Sequence, residues 1–378
     1  MTSASAPREP SANLVAATAD QLLMHPFKGW FYGDSIGFEG LMIASDLLGN
    51  SRWSAFCHGF CRAWATRMLP FQKFDNTAPG SVMCDIVDRT GDTVLRAAVI
   101  DLAHHLRARR KVNDVSVTFE DTRIALVQPY GGVALSAAQR EQMTAPGAGI
   151  YLDCMHFDAP FYAHLSHLDP DGGWAQAAVA EIMGYRDLLL NKDLGLYRHF
   201  WLESVSRSYT DGWGRGQGWA LLGLIDVVSH LPETVAGVDA VKQIALSLAR
   251  RMVEFQREDG NWHALVHDPR SGNEASTAAF MATAFYRGMN IGLLSQEEFL
   301  GPAARAYAAM FKNVDAKGGL RGVSAAVMSA LVEEHYWHVP LATNVPWGQG
   351  PLLAAIAAAK SVLPSIYHCQ QVHSFGGS

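Results

Sequence analysis

The stretch Asp169-Pro170-Asp171-Gly172-Gly173 separates two runs, 152–165 and 173–190, in which apolar residues recur at three- and four-residue spacing. That spacing gives each run one apolar helical face, and the Pro, Asp and Gly residues between them supply turn and cap chemistry that stops both helices. Two helices joined by so short a break read as a helical hairpin. Outward from this point the same periodicity recurs over 13–24, 35–48, 53–69, 79–89, 91–109, 216–231, 236–257, 275–291, 296–313 and 348–361. The breaks again carry Gly, Asn and Asp, as in Leu48-Gly49-Asn50 and Asp259-Gly260-Asn261. Consecutive hairpins without a fixed repeat length argue against a solenoid and leave an all-α bundle or a toroid of α-hairpins. One interval departs from this pattern. Over Asp114 to Gln128, Val115, Val117 and Phe119, then Ile124 and Leu126, alternate around Glu120-Asp121, which predicts a small β-hairpin insert.

The chain has 378 residues, a length that a closed toroid can reach as one domain. Hydrophobic residues at 49% against 17% charged supply a large core. We expect an N-terminal arm over 1–12, a single domain over 13–365 and a tail over 366–378. The net charge of −6, with no Lys/Arg run beyond Arg107 to Lys111, excludes a general attraction for nucleic acid or anionic lipid. Cys57, Cys61, Cys84, Cys154 and Cys369 show no metal-ligand spacing and their odd number fits no disulfide framework, so free thiols are expected. Met1 to Asn13 lacks the basic segment and apolar run of a secretory signal, and no long unbroken apolar run spans a membrane. A cytoplasmic protein is the expectation.

Ten Trp residues favour the toroid over the bundle. Trp30, Trp201, Trp213, Trp262, Trp337 and Trp347 fall in expected loops or helix starts, where core packing explains them less well than it explains Trp64 or Trp174. In a toroid such loops converge on one mouth, and flat aromatic faces there suit a sugar ring. Tyr151-Leu152-Asp153 opens an apolar segment that continues to Pro160-Phe161. Asp153 there is either an N-cap or, if it points into a cavity, a desolvated carboxyl able to hold a proton and act as a general acid. Trp213-Gly214-Arg215-Gly216-Gln217-Gly218-Trp219 opens a helix with three glycines around an Arg. The glycines either let backbone approach a ligand or make a tight helix start, while Arg215 offers a planar fork to a carboxylate. Tyr197 to Trp201 places His199 among aromatics in an expected loop, and Lys73 to Gly80 places Asp75 at a helix start. Asn273-Glu274-Ala275-Ser276 reads first as a capped helix start. Phosphate loops, zinc signatures and a nucleophile elbow are absent from the sequence.

Taken in order, these segments resemble the unsaturated rhamnogalacturonyl hydrolases of glycoside hydrolase family 105, and the related unsaturated glucuronyl hydrolases of family 88. The likeness runs from about Trp30 to Lys360: Phe74-Asp75-Asn76 with Pro79-Gly80, Asp153 with Pro160-Phe161, His199 to Trp201, Trp213, Arg215, Gly218 and Trp219, Glu274-Ala275-Ser276, and Gly348-Gln349-Gly350-Pro351-Leu352-Leu353. The resemblance implies an (α/α)6 barrel with its site in the mouth. It also implies hydration of the C4=C5 double bond left on a uronyl sugar by polysaccharide lyases. By carry-over Asp153 is the general acid and base, Asp75 orients substrate or water, and His199 helps to position it. Trp213 and Trp219 stack on the sugar and Arg215 holds polar or anionic groups, with Trp30, Met155 and Glu274 as further substrate contacts. The implied partner is a small oligosaccharide, with a homodimer left open, and neither metal nor cofactor is required. One departure stands out: where family members commonly carry a His eleven residues before the catalytic Asp, this chain has Gln142. Two other readings remain: a sugar epimerase or isomerase of the N-acylglucosamine 2-epimerase type, using histidines such as His104-His105, His164/His167 or His335/His338, and a non-catalytic saccharide-binding barrel.

Overall fold

The computed structural model describes residues 10–373 apart from 28 and 68, and the side chains of these except at 73 and 363–373. The helices are α1 (Ala12–Leu23), α2 (Tyr32–Leu48), α3 (Arg52–Ala65), α4 (Gly80–Thr90), α5 (Thr93–Arg107), α6 (Ala137–Thr144), α7 (Asp158–Leu168), α8 (Trp174–Leu189), α9 (Gly214–His230), α10 (Val238–Glu254), α11 (Ala275–Asn290), α12 (Gln296–Lys312) and α13 (Pro346–His373). Apart from the short α6, they alternate between an outer and an inner ring. The inner ring closes in the order α2, α4, α7, α9, α11, α13 and back to α2, each touching the next. Burial follows from this arrangement. Helices α9 and α11 bury residues around most of their circumference, whereas α10 and α12 bury a single stripe against them. The result is the (α/α)6 barrel.

Each hairpin begins with its outer helix, so all the inner helices run the same way. Their N-terminal ends meet at one mouth and their C-terminal ends at the other. The Asp169 to Gly173 break works as its sequence suggests: Gly173 takes a φ of 70° to start α8, and Asp169 accepts a hydrogen bond from Trp174 Nε1 at 2.7 Å. Closure of the ring depends on small residues where α13 meets α2, because a Cβ on Gly40 would stand 2.7 Å from the Cα of Gly350.

The strands depart from expectation in two places. The insert's hairpin is shorter and earlier than the Asp114 to Gln128 span: β1 (Lys111–Val112) pairs with β2 (Val115–Ser116) across Asn113 and Asp114, both in the left-handed region. The rest of the span does not return along it. Leu126 instead bridges in parallel to Ser329, because its partner lies in a distant loop that the local alternation cannot reveal. The second departure is an antiparallel sheet where a loop was expected around His199. Its strands are β3 (Gly149–Tyr151), β4 (Leu190–Asn191), β5 (Leu196–Leu202) and β6 (Arg207–Asp211), with β5 flanked by β3 and β6. Almost every residue of β5 is buried, so it lacks the polar alternation of a half-exposed strand. A last pair, β7 (Val323–Ser324) and β8 (Leu341–Ala342), frames the chain between α12 and α13.

The expected arm falls mostly outside the described residues, although α1 already starts at Ala12; of the expected tail, 366–373 continue α13 past the boundary at 365 and 374–378 lie outside the described residues. Cys57, Cys61, Cys84 and Cys154 are free and buried, and the side chain of Cys369 lies outside the described set. Among the described residues no helix is long and apolar enough to cross a membrane.

Candidate active site

A cavity opens at the mouth formed by the N-terminal ends of the inner helices. Asp153 stands in its wall, on a 3-10 turn spanning Leu152–His156 between β3 and α7. It is not the cap of that turn, a position held by Tyr151, and its carboxylate is 14% exposed. The sheet brings His199 to it. Tyr151 on β3 faces Phe200 on β5, so continuing the register by one residue aligns the start of the turn with His199. His199 Nε2 lies 3.5 Å from Asp153 Oδ2, and its Nδ1 meets the hydroxyl of Tyr336. The imidazole is thus fixed at both ends in a nearly closed pocket, its own exposure being 1%.

Trp213 and Arg215 complete the inner wall. The Trp213 ring lies against the His199 imidazole at 4.3 Å between centroids, and the Arg215 guanidinium sits 5.1 Å from the same indole. Arg215 is held hard from behind. Its Nη1 donates to the Ser324 carbonyl (3.0 Å) and hydroxyl (2.7 Å), its Nη2 donates to the Ala325 carbonyl (3.2 Å), and Glu274 lies 3.5 Å away. Its Nε has no protein partner. Neither has the hydroxyl of Tyr32, which also lines the cavity and whose pKa is raised by burial, opposed by Arg215 and reinforced by Asp153. Both atoms are buried polar groups without a protein partner, on residues that line the same cavity.

Other residues singled out from sequence lie elsewhere. Asp75 is fully engaged away from the cavity: it pairs with Arg67, accepts from Trp64 Nε1 at 3.0 Å, and takes the Gln72 backbone N–H at the start of its own short helix. Its neighbours Phe74 and Thr77 reach the cavity instead. Trp219 is completely buried against His156, Phe157 and Phe280, and Met155 is equally inaccessible. Trp30 belongs to an aromatic core with Phe38, Phe60 and Trp64. Glu274 is the N-cap of α11, accepting from the backbone of Ser276, Thr277 and Ser324. Gln142, on α6, exchanges hydrogen bonds with the Tyr209 hydroxyl (2.8 and 3.1 Å) and does not line the cavity. The glycines of the Trp213 to Trp219 stretch serve helix packing rather than a ligand, since a Cβ on Gly218 would sit 2.6 Å from Phe280 Cβ. Trp30, Asp75 and Met155 each sit beside a residue that does line the cavity, namely Phe31, Phe74 and Cys154, and sequence adjacency does not tell which of the two points inward.

The histidines of an epimerase reading are not gathered here. His104 and His105 are on the outer helix α5, His164 is near the far end of α7, and His335 stacks on Tyr130 outside the cavity. Sequence reasoning missed Tyr32 at the start of α2 and much of the outer wall: Phe31, Phe119, Ile124, Val327 and Met328 come from connecting segments without a motif of their own. Two of those loops are stitched together by Val127 N to Ser329 O (2.9 Å) and Ser329 N to Ala125 O (3.0 Å). Among the described residues no group of three or more His, Cys, Asp or Glu side chains could hold a metal ion.

A closed six-hairpin barrel with a carboxylate, an imidazole and an indole at the base of its N-terminal mouth is the architecture of a barrel glycosidase. A family model described as Glycosyl Hydrolase Family 88 matches residues 11–362, and the chain belongs to that family. It is 27% identical over 186 residues to the unsaturated rhamnogalacturonyl hydrolase YesR of Bacillus subtilis (strain 168), covering 49% of this chain and 52% of that protein. It is 24% identical over 179 residues to an unsaturated 3S-rhamnoglycuronyl hydrolase of Alteromonas sp. (strain LOR), covering 46% and 43%. The chain thus spans about half the length of these curated relatives. In fold it is similar to a family 105 glycoside hydrolase from C. acetobutylicum ATCC 824, with a TM-score of 0.76 at 18% identity over 93% of this chain and 99% of the other.

Proposed function

We propose that this chain hydrolyses saccharides that carry a 4-deoxy-4,5-unsaturated uronyl residue at the non-reducing end, with Asp153 as the proton donor. The observation that carries the reading is that Asp153 is the one carboxylate among the described residues that line the cavity. An ordinary glycosidase places two carboxylates across the scissile bond, about 5 to 9.5 Å apart according to its stereochemistry. Here Asp75 and Glu274 are both engaged elsewhere. A single acid suffices when the substrate is a vinyl ether. Asp153 gives its proton to C4, the C4=C5 electron pair forms the new C–H bond, and the ring oxygen stabilises the cation at C5. Water adds at C5 and returns a proton to Asp153. The resulting hemiketal opens by cleavage of the bond between C5 and the ring oxygen, giving a ketone at C5; the ring oxygen stays on C1 as the hydroxyl of a hemiacetal, which collapses to an aldehyde and releases the leaving alcohol. One water is consumed and the acid is regenerated.

His199, held by Tyr336, fixes the Asp153 carboxyl and limits its rotation. Trp213 offers a flat face to the uronyl ring. Tyr32 and Arg215 stand in the wall that faces it, and the N-terminal ends of the inner helices favour its negative charge. The names of the relatives, which specify unsaturated rhamnogalacturonyl and rhamnoglycuronyl substrates, support the same substrate class. The test is to incubate lyase-generated unsaturated disaccharides with the protein and follow loss of the double bond's ultraviolet absorbance. Asp153→Asn should lower kcat by roughly 10²- to 10⁴-fold, as for loss of a general acid. Full activity in a folded Asp153→Asn protein would remove Asp153 from the mechanism.

A further inference from the structure

The cavity has two unlike halves. Around Asp153, its buried inner half holds His199, Trp213, Arg215 and the free hydroxyl of Tyr32. The outer half is walled by Phe31, Phe74, Phe119, Ile124, Val327 and Met328. Three of these remain open to solvent: Phe31 is 38% exposed, Phe74 37% and Ile124 40%. Large apolar side chains left so exposed around one opening are what a ligand, rather than the fold, requires. Phe31 and Phe74 meet edge to face at 6.4 Å, giving the rim an aromatic corner.

The polar groups of this wall are already satisfied by the protein. Thr77 Oγ1 donates to the carbonyls of Trp30 and Phe74, both at 2.8 Å. Thr118 Oγ1 lies 3.6 Å from Cys154 Sγ and accepts from Tyr151 N at 3.1 Å. Ser329 Oγ is bonded to Tyr151 and to the Ala125 carbonyl. The sole permanent cation among the described lining residues is Arg215, whose Nη atoms are held by Ser324 and Ala325. A sugar pressed against the outer wall would give up water at its hydroxyls without gaining partners, and a sulfate would be stranded.

Resting on the hydration reading above, we infer that the leaving group this site prefers is an uncharged apolar alcohol, with an aryl or alkyl body seated against Phe31, Phe74 and Ile124, rather than a polyhydroxylated or sulfated sugar. The uronyl ring occupies the polar inner half, and its C1 oxygen points outward to the apolar rim. The gain comes from contact. It does not come from a better leaving group, because C–H bond formation at C4 precedes departure.

The probe is the benzyl glycoside of the unsaturated uronic acid, whose leaving alcohol is close in acidity to a sugar hydroxyl. It is compared with the unsaturated uronyl-rhamnose disaccharide and a sulfated unsaturated disaccharide, all followed by loss of the double bond's absorbance. We expect kcat/KM for the benzyl glycoside to exceed that for the rhamnose disaccharide by about tenfold or more, the worth of a few buried CH₂ equivalents. The sulfated substrate should be the poorest. In a Phe74→Ser, Ile124→Asn double variant, with folding checked by circular dichroism and melting temperature, the benzyl-to-disaccharide ratio should collapse toward one. Equal or better use of either disaccharide by the wild type, or a ratio that survives the double variant, overturns the inference while leaving the hydration in place. If a folded protein consumes none of the three, the hydration itself fails, and this proposal with it.

Discussion

Asp153 and Asp75 carry the same functional group and are given different work by their surroundings. Asp75 meets a guanidinium, an indole N–H and a backbone N–H, leaving it nothing to offer a ligand. Asp153 meets only an imidazole at 3.5 Å and an open cavity. The two indoles of the Trp213 to Trp219 stretch divide in the same way. Trp213 lines the cavity, and Trp219, six residues on, is sealed in the core with no exposure. Trp213→Ala should therefore raise KM for the unsaturated disaccharide while retaining a cooperative fold. Trp219→Ala should cost about 3–5 kcal/mol of stability in urea denaturation, as large cavities in cores do, with KM of the folded fraction unchanged. A rise in KM for the Trp219 variant alone would reverse their assignments.

At the scale of elements, strand pairing sets the site. The register that puts Ile150 opposite Trp201 and Tyr151 opposite Phe200 also turns His199 toward the Asp153 turn, and a slip of one residue would turn it to the opposite face. Helix pairing sets the pH response. Asp158, in the first turn of α7, is driven well above the ordinary carboxylate range by burial, and Glu181 on α8 adds to the effect against Arg109 and Lys111. The folded protein therefore keeps a proton there that the unfolded chain releases near pH 4. The stability this confers is full below that pH and is lost as pH rises through the raised folded value. Asp158→Asn imitates the protonated acid and lacks this loss. The stability of the variant relative to wild type should grow as pH rises above the ordinary carboxylate range, measured as melting temperature, by up to about 1.4 kcal/mol per pH unit. A difference that is flat with pH would mean that Asp158 is ionised in the folded state.

For the whole molecule, the decisive event is closure of the inner ring, which joins α2, near the N-terminus, to α13, near the C-terminus. Gly40 and Gly350 let those two backbones approach, so Gly40→Ala should force α13 outward and cost about 1–3 kcal/mol. Parallel inner helices also make the two ends of the barrel different. The far end holds a polar basin in which Arg287 bridges Glu39 and Asp226, while the near end holds the cavity. What the sequence determined alone is what local periodicity encodes: the helices, their breaks and hence the hairpins, since an apolar stripe at helical spacing dictates both the helix and the face it buries. Asp153, His199, Trp213 and Arg215 could likewise be picked out by type and order. Only the tertiary structure decided which of those side chains face the cavity. The tertiary structure also turned Asp75, Trp219, Trp30, Met155 and Glu274 into core and cap, paired β5 with β3, and built the apolar rim from loops distant in sequence. The physical reason is that a side chain's direction relative to a cavity is set by packing partners far along the chain, and neighbouring positions in one motif point to opposite sides of the same wall.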